Sequence, residues 1–215
     1  MTASTATETE TATETVLLIG SGSATDTPSV PVLRPIPVAA RVQYADPASW
    51  TVAAAVENAL AACGPDRRPT ADDRIGMITV SGSGTLETMR SQAERVAAQG
   101  KISPIRFAGG NPAAMAGVPC LVFGFHGPSL VLSMPVAAGA EPADLLASTW
   151  LRTKRARFVV VAAHQAVAAD THRARALVLG YGVPAPGADR AIDLPDLLTS
   201  GLLTSGSLPQ GPASE

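Results

Sequence analysis

Residues Arg74–Gln92 read RIGMITVSGSGTLETMRSQ, and the change of character along this stretch decides the fold class. RIGMITV (Arg74–Val80) is a short apolar run with β-branched residues, which predicts a strand. Ser81-Gly82-Ser83-Gly84 predicts a tight, flexible turn, and Leu86–Gln99 a helix closed by Gly100. The same alternation extends to both sides. Upstream, Val16–Gly20 is a short β-type run. Pro47–Cys63 (PASWTVAAAVENALAAC) predicts a helix, with Trp50, Ala53, Ala54, Val56 or Glu57, and Leu60 at helical spacing and Gly64-Pro65 as its stop. Downstream come a small-residue helix over Asn111–Phe123 interrupted by Pro119, a strand at Ser129–Ser133 and a helix at Asp144–Lys154. Two more strands follow, at Phe158–Ala163 and Ala174–Gly180. Strands alternating with helices predict an α/β domain with a mostly parallel sheet covered on both faces.

The rest of the 215 residues bounds this domain. Hydrophobic residues make up 46% and charged residues 16%, with mean hydropathy +0.21, enough for one sizeable core. Residues 1–14 (MTASTATETETATE) have nothing to bury and predict a disordered acidic tail. They also lack the basic and apolar regions of a secretory leader. Pro28, Pro31, Pro35 and Pro37 predict an extended surface connection. The domain is placed at 15–194. The turn-rich stretch from Leu194 is expected to add little to the core, with 195–215 a flexible tail. Apolar runs such as Phe158–Ala163 are far below the ~20 residues of a bilayer span. A net charge of −2 provides no footprint for nucleic acid. Cys63 and Cys120 form neither a disulfide framework nor a metal cluster, and a cytoplasmic location is expected. No cofactor is implied.

Site motifs are sparse. Ser81–Gly84 follows a strand and precedes a helix, but it lacks GxGxxG spacing, a Walker lysine and a ribose-binding acid, so it reads as a structural turn. His126, His164 and His172 have no metal-ligand spacing. His126 sits in a Phe-His-Gly-Pro turn and His172 in a polar connection. His164 ends a strand, where α/β proteins often bind ligands, yet a satisfied or solvent-facing side chain is the simpler reading. Ser133, His164 and Asp170 assemble a triad only on paper, without a GxSxG elbow. Asp72-Asp73 and Arg67-Arg68 read as a solvated loop, and Cys120 as a buried inert thiol.

From Arg74 onward the order of short motifs resembles the N-terminal half of the β-ketoacyl-acyl-carrier-protein synthases. RIGMITVSGSGTLETMRSQ is similar to their strand, glycine-rich turn and Leu-Glu-Thr helix. KISPIRFAGGNPAAMAG resembles their Ser-Pro loop and Asn-X-Ala-Ala-Gly helix, and FGFHGPSLVLS their Phe-Gly-X-X-Gly-Pro-X-Leu segment. MPVAAGA stands in the place of their nucleophile elbow, RFVVVAAH in that of a strand ending in Gly-Gly, and ARALVLG in that of the closing strand. The resemblance covers Arg74–Gly180 and implies a thiolase-like half, a single βαβαβ-type unit.

It also implies departures. The family cysteine, activated at a helix N-terminus, falls on Val136, which has no nucleophile. Pro142 lies where the family helix is continuous, implying a kink or a later helix start. The His-Gly-Thr and Gly-His motifs of the family's second half do not occur. No catalytic residue is therefore assigned. A half of this fold standing alone is expected to leave an apolar face that something must cover. By the resemblance, Ile105, Phe107, Met115, Met134 and Val136 line an acyl site. Asn111 and the edge strand Ser129, Leu130, Val131, Leu132 and Ser133 form a dimer interface. The implied role is a non-catalytic, chain-length-factor-like subunit of polyketide or fatty-acid biosynthesis. It pairs with a ketosynthase or ketosynthase-like subunit and meets acyl carrier protein indirectly. The alternatives are a residual acyl-thioester enzyme with another nucleophile, and a degenerate interaction module without acyl contact.

Overall fold

The computed structural model describes residues 14–25, 45–70, 72–168, 171–183, 192–200 and 202. The expected tail over 1–13, the proline-rich connection, Asp170 and the chain after 202 lie outside them. Five strands form one sheet in the order β1-β5-β4-β2-β3, with β1 at Thr15–Thr25, β2 at Ile75–Ser81, β3 at Ser129–Leu132, β4 at Phe158–Ala168 and β5 at Thr171–Gly182. The helices are α1 (Pro47–Ala61), α2 (Leu86–Gln99), α3 (Pro104–Gly109), α4 (Ala114–Phe123), α5 (Val136–Arg152) and α6 (Leu194–Thr199).

β2 is buried along its whole length, which is why its sequence is mostly apolar, with Thr79 hydrogen-bonded to the Met115 carbonyl and Ser81 to His164. It pairs in parallel with β3 and with β4, whereas β5 runs antiparallel to both β4 and β1. The parallel character expected for most of the sheet is thus confined to β3-β2-β4. The reason is the short link between β4 and β5, which permits only a hairpin. Both hairpin strands outrun the expected Phe158–Ala163 and Ala174–Gly180; the extensions include the buried His164 and His172, while Val167 and Ala168 next to the turn are exposed. β1 likewise continues to Thr25.

Period-two alternation sends successive side chains to opposite faces, so the sheet separates two cores. On one face Met77, Val160, Ala162 and Ala176 meet α1 and α4; on the other Ile78, Val80, Val161 and Leu177 meet α5 and α6. α1 starts on Asp46, whose Oδ1 accepts from the Ala48 N–H at 2.9 Å, with Pro47 in the first turn. Gly22 lets α1 lie directly on β1: a Cβ there would stand 2.3 Å from Ala59 N.

Several expectations are corrected. α5 begins at Val136, not later, and runs through Pro142; the proline only removes the N–H that would bond the Ala138 carbonyl. The stretch from Leu194 does contribute to the core: Leu194, Leu198 and Leu202 are buried against α5 and the sheet. Asp73 is no solvated loop residue. Burial alone would push its carboxyl up, but the Thr70 N–H and hydroxyl and the Arg157 guanidinium (Nη1–Oδ1 2.7 Å) hold it below the usual carboxylate range. Ile105–Phe107, expected in a loop, fall within α3. The outward face of α5 carries Ala137, Ala138, Glu141, Leu145 and Arg152, with Leu145 its one large exposed hydrophobe, so no broad apolar face is left there among the described residues.

Candidate functional site

β3 lies at the edge of the sheet, matched through Met77↔Ser129 to Val80↔Leu132 on one side. Ser129 and Leu130 are exposed, Val131 and Leu132 half-buried. No lysine or proline blunts this edge, unlike most protected edges. Immediately after β3 the chain turns sharply. Met134 N donates to the Leu132 carbonyl at 3.0 Å, and Ala138 N and Gly139 N both reach the Pro135 carbonyl at 3.0 Å. Gly139 is needed for this close seat: a Cβ would lie 2.3 Å from Val80 Cγ1. Val136 opens α5 with no side chain capping the helix, and its own side chain is 8% exposed, turned into the core with Val80 and Ala140. Met134 and Leu132 pack at the same place, and Ser133 is exposed.

The residues expected around an acyl site do not all converge. Met115 is fully buried on the opposite face of the sheet from Met134 and Val136. There its Sδ lies 3.6 Å from Ser49 Oγ, and its carbonyl accepts from Thr79 Oγ1. Phe107 projects from α3 at 59% exposure, and Ile105 belongs to the same helix. Asn111 is exposed and its Oδ1 accepts from Ala113 N at 2.9 Å, so its evident local work is to shape the turn before α4. A cavity of about 380 Å³ opens elsewhere, between β1, the end of β5 and α5, with Glu14, Val16, Glu141, Asp144 and Arg152 among its walls. Burial pushes the Asp144 carboxyl up, Asp193 adds to this, and a Ser148 hydrogen bond opposes it.

One constellation escaped the sequence reading. Ser81 Oγ lies 2.9 Å from His164 Nδ1, His164 Nε2 3.0 Å from His172 Nδ1, and His172 Nε2 3.2 Å from Glu87 Oε2. Glu87 as a carboxylate only accepts, and this orders the chain. His172 donates to Glu87, His164 donates to His172, and Ser81 donates its hydroxyl proton to His164. The Gly84 N–H donates to Ser81 Oγ at 2.8 Å, so the Ser81–Gly84 turn closes on itself. Ser81 and His164 are 1% exposed and His172 4%. Burial, reinforced by His172, pushes the His164 imidazole down to about 3. His172 is a β5 core residue, not part of a polar connection. Both ring nitrogens of His164 are taken, by Ser81 and His172, which leaves neither for Ser133; Asp170 lies outside the described residues. His126 is exposed. The Cys120 thiol is pushed up to about 11 by burial, which makes it a poor nucleophile.

An edge strand feeding a sharp turn into a central helix, on a mixed sheet of this order, can be compared with known families. The family described as beta-ketoacyl synthase, N-terminal domain, matches residues 38–177. The chain belongs to this beta-ketoacyl synthase family.

No curated protein matches the chain. Among solved structures it is similar to the ishigamide ketosynthase/chain length factor, with TM-score 0.61 and 12% identity over 82% of this chain and 64% of that one. It is similar to a type II PKS acyl-carrier protein in complex with its ketosynthase bound to the hexaketide, with TM-score 0.62 and 17% identity over 77% of this chain and 62% of that one. It also resembles a ketosynthase in complex with its chain length factor from Xenorhabdus doucetiae, with TM-score 0.56 and 15% identity over 79% of this chain and 80% of that one. At these identities the likeness shows the fold. The chain spans less than two thirds of the first two chains, whereas the third is about as long as this one. Among the described residues, no helix is long and apolar enough to cross a membrane.

Proposed function

We propose that this chain is a non-catalytic ketosynthase-like subunit of a polyketide or fatty-acid type biosynthetic system. It pairs with an active ketosynthase and helps shape that partner's acyl site. One observation carries the reading: the first residue of α5, directly behind edge strand β3, is Val136, with its side chain packed in the core. A helix N-terminus favours a thiolate and presents amides to an oxyanion, but valine offers neither sulfur nor oxygen to react. The half-buried Cys120, whose pKa is raised, supplies no substitute. Complexes of a ketosynthase with a chain length factor among the similar folds support the pairing. The pairing surface is β3, where Ser129 and Leu130 leave an uncharged, solvent-facing edge ready for strand addition. Met134 and Val136 lie behind it. Acyl carrier protein is met indirectly, through the ketosynthase.

The test has two arms. Incubation with acyl-carrier-protein or coenzyme A thioesters, followed by intact mass spectrometry, is expected to show no adduct. A stable acyl adduct, above all on Ser133 or Cys120, overturns the non-catalytic reading. Co-expression with candidate ketosynthases is expected to yield a heterodimer by light scattering, lost on Leu130→Lys. A monomer indifferent to Leu130→Lys overturns the pairing.

A further inference from the structure

α2 is oriented against the usual rule for a surface helix. Leu86, Met89, Ala93, Val96 and Ala97 recur at i, i+3, i+7, i+10 and i+11 and therefore share one face. That face points outward: Leu86, Met89 and Val96 are 43%, 47% and 42% exposed, and both alanines are exposed. Gln92, which borders the stripe beside Val96 and Met89, is the one buried residue of the helix. Polar ties in its first turn hold this roll in place. Glu87 accepts from His172, Thr88 N donates to Asp46 Oδ2 at 3.0 Å, and Thr85 Oγ1 bonds the Gly110 carbonyl. A 14-residue helix is marginal in water without a packed apolar face, so this stripe calls for a partner.

The charges beside the stripe say which one. Arg90 and Glu94 are exposed, lie on the same flank one turn apart, and form no ion pair among the described residues. Two α2 helices laid antiparallel about a two-fold axis through the helix middle bring Arg90 of each copy beside Glu94 of the other. The small Ala93 sits near the axis and permits close approach. A parallel two-fold arrangement would put the Arg90/Glu94 flanks of the two copies on opposite sides of the seam, where they do not meet. Self-complementarity of this kind is what an isologous contact requires.

We propose that the outward face of α2 docks on α2 of a second copy of this chain, antiparallel, through the Leu86–Met89–Ala93–Val96 stripe. This contact is separate from β3 and does not depend on what pairs there.

Sedimentation of the full chain over a concentration series tests it, in a Leu130→Lys background so that association through β3 is read separately. Each single reversal, Arg90→Glu or Glu94→Arg, replaces two attractions with two repulsions and is expected to raise the dimer dissociation constant about tenfold. The double reversal, Arg90→Glu with Glu94→Arg, is expected to restore it to within about threefold, because only a second copy carries both changes. All of these positions are exposed, and far-UV circular dichroism checks that the variants fold. Unchanged self-association in the single variants overturns the proposal, as does a double variant no tighter than the singles. If the single reversals instead weaken binding to a co-expressed ketosynthase and leave self-association untouched, the stripe belongs to the ketosynthase and the proposal falls.

Discussion

Lowering the pH from 7 to 4.5 is expected to destabilise this fold by about 2.5 kcal/mol through His164 alone. In the unfolded chain this imidazole titrates near its ordinary value of about 6.5. In the fold it is held to about 3, first by burial and then by His172. Between those values the unfolded state binds a proton that the folded state refuses, so stability falls as the pH drops from 6.5 toward 3. At pH 4.5 the medium is two units below the unfolded value, and each unit is worth about 1.4 kcal/mol; the small part already lost at pH 7 leaves about 2.5 kcal/mol. Asp73 does not confuse this window. Its carboxyl is held below the usual range, so its contribution is lost only as the pH falls through about 3.9 and lower. The assay is urea unfolding followed by the fluorescence of the buried Trp50 and Trp150 at both pH values, on the wild type and on His164→Gln. Glutamine has no charge to acquire, so the variant is expected to be less stable at pH 7 but to lose about 2.5 kcal/mol less on acidification. Equal losses in the two proteins would refute the account of His164 as a neutral, buried member of the Ser81–His164–His172–Glu87 chain.

Two packing predictions are independent of that chain. Leu198→Ala removes a fully buried side chain from the α6 contact and is expected to cost about 2–5 kcal/mol by chemical denaturation; a neutral effect would mean that the segment from Leu194 does not dock. Gly22→Ala places a Cβ 2.3 Å from the backbone of Ala59, where no flexible side chain can yield, and is expected to cost at least about 1–3 kcal/mol and to lower the melting temperature. An unchanged melting temperature would show that α1 does not lie on β1 so closely.

What could be read in the sequence was whatever is encoded at short range. The mostly apolar run of β2, the glycine turn after it and the helix over Leu86–Gln99 each follow from a few neighbouring residues, and together they establish the α/β class. The order of motifs from Arg74 to Gly180 led to the ketosynthase family, and the match over 38–177 bears this out. The uncharged character of β3 was legible for the same reason, as a local choice of residue type, whereas the helix that opens at Val136 was expected only from Asp144. Tertiary structure decided everything that depends on register and on faces. Met115 and Met134, alike by composition, end on opposite sides of the sheet. The pairing Ser81↔His164 in parallel strands, and Ala166↔His172 in the hairpin, bring together side chains separated by 83 and 8 residues. Glu87 joins them from a helix. No periodicity within one segment predicts such a chain, because it exists only once two strand registers and the roll of a helix are set at the same time. The sparse leucines of Leu194–Leu202 likewise became core only because α5 and the sheet leave a surface for them to cover. Local pattern states what a segment can become, and burial against the rest of the chain determines which polar and apolar groups meet.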